Sequence, residues 1–93
     1  MVSLHIEIGC PPGGIRPQTH LMNLITSLQS SQNNNIAEWA TECIKNPPDC
    51  STRFGDMDCV LDIPMGIKDE VQTFFQTKLT ELYHSGAIRW ASW

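Results

Sequence analysis

The chain has 93 residues, of which 41% are hydrophobic and 17% charged, and it carries a net charge of −4 with only six Lys and Arg. That is the size and balance of one globular domain spanning residues 1–93, with a thin core. The six basic residues (Arg16, Lys45, Arg53, Lys68, Lys78 and Arg89) are scattered, so neither nucleic acid nor an anionic membrane is expected as a partner.

The N-terminal stretch MVSLHIEIG has no basic leader, and no segment approaches the ~20 apolar residues of a membrane span. A soluble protein of the cytoplasm or nucleus, not secreted, is therefore expected. Its four cysteines (Cys10, Cys43, Cys50 and Cys59) are then expected as reduced thiols, though the even count would also suit two disulfides.

Residues 2–8 alternate, with Val2, Leu4, Ile6 and Ile8 on one face and Ser3, His5 and Glu7 on the other, which predicts a half-buried strand. GCPPGG ends it, because proline lacks a ladder donor and glycine permits turns. Leu21, Leu24, Ile25 and Leu28 then fall at helical spacing, with Thr19 as the expected N-cap. SSQNNN stops this helix. Asn35 is the expected cap of a second one, with Glu38 three residues on. Its apolar face is Ile36, Trp39, Ala40 and Cys43, and NPPDC ends it.

Residues 49–56 read as an irregular loop. GDMDCVLDIPM alternates again, with Met57, Cys59, Leu61, Ile63 and Met65 against Asp56, Asp58, Val60 and Asp62. A third helix carries Val71, Phe74, Phe75, Lys78, Leu79 and Leu82. Asp69 and Glu70 sit in its first turn and Gly86 ends it. AIRWASW is the third strand, with Ile88 and Trp90 inward.

The expected fold is α/β (or α+β), a small two-layer sandwich in the order β-α-α-β-α-β. Alternating rather than uniformly apolar strands place the helices mainly on one face of a three-stranded sheet. Right-handed crossovers would arrange the strands parallel, in the order 1-2-3. The core is expected to centre on Phe74, Phe75, Leu79, Leu82, Leu61 and Ile63.

Three patterns point to chemistry. The segment CPPGGIRP holds Cys10 and Arg16 at the Cys-x5-Arg spacing, between a strand and a helix, and so resembles the phosphate loop of cysteine-dependent phosphatases. That resemblance covers eight residues. It implies Cys10 as a thiolate nucleophile and Arg16 as the phosphate clamp. Against it, Pro11 and Pro12 supply no N–H to a cradle, and Pro17 stands where the signature carries a hydroxyl. A turn is the plain reading.

In GDMDCVLD, Asp56, Asp58 and Asp62 share a strand face and resemble the acidic pair that holds Mg²⁺ in nucleotidyltransferases. The alternative is a solvated face that discourages aggregation. Cys43, Cys50, Cys59 and His84 number enough for a zinc site but lack paired spacing, and Cys43 and Cys59 fall on apolar faces.

No catalytic set assembles from these residues and no cofactor is expected. The function expected is that of a small protein-interaction or regulatory accessory protein, in a virus or a cell, acting as a homodimer and binding a second protein. Ile88, Trp90 and Trp93 of the final strand are the expected contacts, and the phosphatase is the rival reading.

Overall fold

A computed structural model describes all 93 residues, 1–93. The elements are β1 (Val2–Gly9), α1 (Pro17–Leu28), α2 (Asn34–Lys45), β2 (Cys50–Arg53), β3 (Asp56–Ile63), α3 (Lys68–Ser85) and β4 (Trp90–Ser92), with a 3-10 turn at Met65–Ile67. The class is α+β with the helices on one face, as the alternation implied. The sheet differs from the expectation in strand number, order and direction. It has four strands in the order β2-β3-β1-β4, every neighbouring pair antiparallel. β1 and β2 thus point one way, β3 and β4 the other, a split β-α-β arrangement.

One missed hairpin accounts for the difference. Residues 50–53, read as loop, form β2 and pair with β3 through the two-residue turn Phe54-Gly55. The added strand reverses the chain, so β3 meets β1 antiparallel. β1 and β3 become the central strands, with eight paired positions from Val2↔Ile63 to Gly9↔Asp56. The second and first predicted strands are therefore both interior, and the free edges are β2 and β4.

Leu4, Ile6 and Ile8 of β1 and Met57, Cys59, Leu61 and Ile63 of β3 line the covered face. Against them pack Leu21, Leu24, Ile25 and Leu28 of α1, Ile36, Trp39 and Ala40 of α2, and Val71, Phe75 and Leu79 of α3. The indole N–H of Trp39 donates to the Asp62 carbonyl at 2.8 Å and ties α2 to the end of β3. Phe75, Leu79, Leu61 and Ile63 are fully buried as expected, whereas Phe74 and Leu82 are only half-buried at the rim of the α3 stripe.

Helix starts lie two to three residues before the expected caps. Pro17, whose fixed φ suits a first helical position, opens α1 after Arg16, not Thr19. Asn33, not Asn35, caps α2 by accepting the Asn35 N–H at 3.0 Å. Gly86, at φ 81°, closes α3 as expected.

Truncating Phe75 to alanine removes the largest fully enclosed side chain and is expected to cost about 3–5 kcal/mol in chemical denaturation. A loss below about 1 kcal/mol would mean that α3 does not anchor the core.

His20 is the one buried polar side chain, and its Nε2 has no hydrogen-bond partner. Burial disfavours the imidazolium and lowers its pKa from 6.5. The unfolded chain therefore binds the proton more readily, and His20 costs stability as pH falls below about 6.5, with no effect above it. The stability difference between wild type and His20→Leu should be flat from pH 7 to 8 and should move in favour of the variant between pH 6.5 and 5. A parallel pair of profiles would show that His20 titrates as in the unfolded chain.

Candidate functional site

Helices cover one face of the sheet, and the other face presents the polar half of each alternating strand. The register fixes which side chains become neighbours there. Ser51, Asp58, Glu7 and Ser92 form one row across the four strands, and Arg53, Asp56, Gly9 and Trp90 form the next. Glu7 and Asp58, both acidic, stand directly opposite one another, a pairing that repels unless a cation intervenes. His5, two residues before Glu7, supplies the counter-group: its Nε2 contacts the Asp58 carboxylate and lies 3.6 Å from Glu7 Oε1.

Glycine at position 9 makes the second row possible. A Cβ there would come within 2.1 Å of the Trp90 indole nitrogen, so the indole lies flat over a strand position with no side chain. Trp90, Glu7, Asp56, Asp58, Ser51, Arg53 and Phe54 surround a shallow basin of about 440 Å³. One carboxylate oxygen of Asp56 is shut off from solvent there without a hydrogen-bond donor.

At the rim stands Phe54, 90% exposed, with φ at +54°. The following Gly55 has φ +86°, so the two form the turn with two positive φ angles that two-residue hairpins favour. Asn or Gly is the usual residue at the first position, and a phenylalanine there is strained. The Arg53 guanidinium lies 5.5 Å from the Phe54 ring centroid.

The Cys10 loop is a turn. Gly14 N–H donates to the Pro11 carbonyl at 3.3 Å, and Gly13 takes φ 78°, which closes a tight turn around Pro12-Gly13. The Cys10 N–H is already given to the Gly55 carbonyl at 3.1 Å, packing this loop against the β2–β3 turn. Two of the amides that a phosphate cradle would need are thus engaged, and two more positions are proline. The Cys10 thiol belongs to the core. Burial first, and the neighbouring Asp56 carboxylate second, raise its pKa above the ordinary thiol value, which opposes a thiolate nucleophile. Arg16 is exposed at the start of α1.

The other predicted sets separate as well. Asp56, Asp58 and Asp62 lie along one strand, where alternate residues are about 6.6 Å apart, and do not converge. Asp58 instead joins His5 and Glu7, and the donor atoms of these three all lie within 4.8 Å of one another. If any residues of this chain hold a divalent cation, these are the ones. The signal was present in the sequence as His5-x-Glu7, but the cross-strand carboxylate could be assigned only with the register.

Cys43, Cys50, Cys59 and His84 form no such group. Burial pushes the Cys43 thiol up to about 11, with Glu42 adding to it, and raises Cys59 further still. His84 is exposed near the end of α3, edge-on to Tyr83.

Of the expected contact residues, Ile88 is only 2% exposed and belongs to the core. The residue precedes β4, which begins at Trp90, so the strand alternation assumed for AIRWASW does not reach it. Trp90 faces the uncovered side rather than inward, and Ala91 is the core-facing residue of β4. Trp93 lies with Leu79, Thr80, Tyr83, Trp90 and Ala91 around a mostly apolar cleft of about 190 Å³ at the β4 edge. Tyr83 is 54% and Trp93 40% exposed.

No helix is long and apolar enough to cross a membrane. No protein-family model, curated protein or solved structure matches the chain.

Proposed function

We propose that this protein is a binding module that takes a basic, partly apolar segment of another protein onto the uncovered face of its sheet. The observation that carries this reading is Phe54, a large aromatic held almost fully in solvent at a backbone conformation that disfavours it. Strain of this kind persists where the exposed side chain has a use, and exposed aromatics are the residues that most often anchor interfaces.

Charge supports the choice of partner. Glu7, Asp56 and Asp58 line the basin, and Asp62 lies on the same face. A lysine or arginine entering beside Trp90 would meet these carboxylates and lie against an aromatic ring. A phosphate polymer would be repelled by the same acids.

The test is a titration of the isotope-labelled protein with short peptides that combine Lys or Arg with one or two apolar residues, using acidic peptides as controls. Shifts are expected at Phe54, Gly55, Asp56, Asp58 and the Trp90 indole, weakening with salt. Phe54→Asn should raise stability by about 1 kcal/mol by relieving the turn, yet weaken peptide binding at least tenfold. Absence of shifts with every basic peptide, or shifts confined to the helices, would remove this reading.

The apolar cleft at β4 favours self-association as a second element of the function. A free strand edge offers unpaired N–H and C=O groups, and Tyr83 and Trp93 beside it offer apolar area. A two-fold dimer through this edge is the simplest closed arrangement. Light scattering at micromolar concentration should give twice the mass of one chain, and Trp93→Ser should shift it toward one. A single-chain mass for wild type throughout that range would sink the dimer.

A further inference from the structure

Cys50 opens β2 and lies directly across from Cys59 of β3. The turn between them defines what kind of pair this is. In a two-residue hairpin the residues flanking the loop, here Arg53 and Asp56, make a hydrogen-bonded pair, and the pairs then alternate. Thr52↔Met57 is non-hydrogen-bonded, Ser51↔Asp58 hydrogen-bonded, and Cys50↔Cys59 non-hydrogen-bonded again.

At such positions the Cα atoms approach to about 4.5 Å and the side chains are at their closest. That lies at the short end of the ~4.4–6.8 Å range a disulfide spans. Both side chains are on the covered side of the sheet, Cys59 in the core and Cys50 packed against it. Cys59 is buried, while Cys50 is half-buried at the free end of an edge strand, where a small molecule can reach it. Its thiol is held by a 3.5 Å contact to the Pro48 carbonyl.

We infer that Cys50 and Cys59 form a reversible cross-strand disulfide, made by exchange with a low-molecular-weight disulfide of the glutathione class. In the first step the Cys50 thiolate attacks the S–S bond of the oxidant. A mixed disulfide forms on Cys50, and one small thiolate leaves and takes up the proton that Cys50 gave up. In the second step Cys59 loses its proton and attacks the Cys50 sulfur, expelling the second small thiolate, which is protonated in turn. Two protein thiols are oxidised and one small disulfide is reduced to two thiols. Burial holds Cys59 protonated, so the second step quickens with rising pH.

The bond would close the chain from Cys50 to Cys59 around the turn that carries Phe54, Asp56 and Asp58. β2 has no other strand neighbour than β3. The disulfide would therefore fasten the edge that holds the rim of the basin.

The experiment incubates the folded full-length protein in graded mixtures of reduced and oxidised glutathione, followed by acid quenching and intact mass measurement. The expected product has lost two hydrogen masses and carries no glutathione. Trypsin cleaves after Arg53, so a non-reducing digest should yield the peptide 46–53, with Cys50, linked to the peptide 54–68, with Cys59. Cys59→Ser should instead accumulate glutathione on Cys50. A wild-type protein that keeps a mixed disulfide on Cys50, forms its bridge to Cys43, or remains fully reduced at every ratio would overturn the assignment.

Discussion

The structure depends on the register of the β1–β3 ladder. Side chains alternate across a sheet with a period of two, so sliding β1 by one residue would send Leu4, Ile6 and Ile8 into water and His5 and Glu7 under the helices. The aligned apolar sets of β1 and β3 admit no such slip. α1, α2 and α3 dock on the face so defined, and Trp39 fastens the far end through its hydrogen bond to the Asp62 carbonyl.

The same register creates the uncovered face. Glu7 and Asp58 oppose each other because Ile6 must face Cys59 and Ile8 must face Met57. The acidic face follows from packing on the other side, and the His5 imidazole lies between the two carboxylates there. Gly9 continues the row. A position with no side chain at the end of a central strand allows the indole of an edge residue to lie across it, and the chain following Gly9 turns away through Pro11–Gly14. The core thus fixes the positions of His5, Glu7, Asp58 and Trp90. Phe54 owes its place to a local turn.

Much of this was legible in the sequence. The apolar faces of β1, β3 and α3, the one-sided helical cover and the role of Gly86 all follow from periodicity. What was missed had weak local signals. Cys50–Arg53 is too short to show alternation, and the Phe54-Gly55 turn lacks the Asn-Gly or Asp-Gly pair that marks a hairpin. That omission produced the parallel order, even though alternating strands already favoured an antiparallel sheet. The Cys10–Arg16 spacing was visible and misleading. Spacing says nothing about where the amides of Cys10 and Gly14 are already engaged. The neighbours His5, Glu7 and Asp58, and Cys50 and Cys59, are brought together across strands. No reading along one segment could have joined them.

Phe54 is where local and global preferences disagree. Asn at that position would satisfy the turn without disturbing anything buried, because the ring touches little besides Arg53. A sequence free to relax would lose the aromatic there, since the chain gains nothing from it in isolation. Two other conflicts stand elsewhere, the unpartnered Nε2 of buried His20 in the core and the facing carboxylates Glu7 and Asp58 in the ladder, but the one non-glycine residue with a positive φ is at the tip of this hairpin, at the rim of the acidic basin. A strained, exposed position of that kind is where a functional constraint is to be looked for. The proposed binding of another molecule at the basin would give the strained aromatic a physical reason.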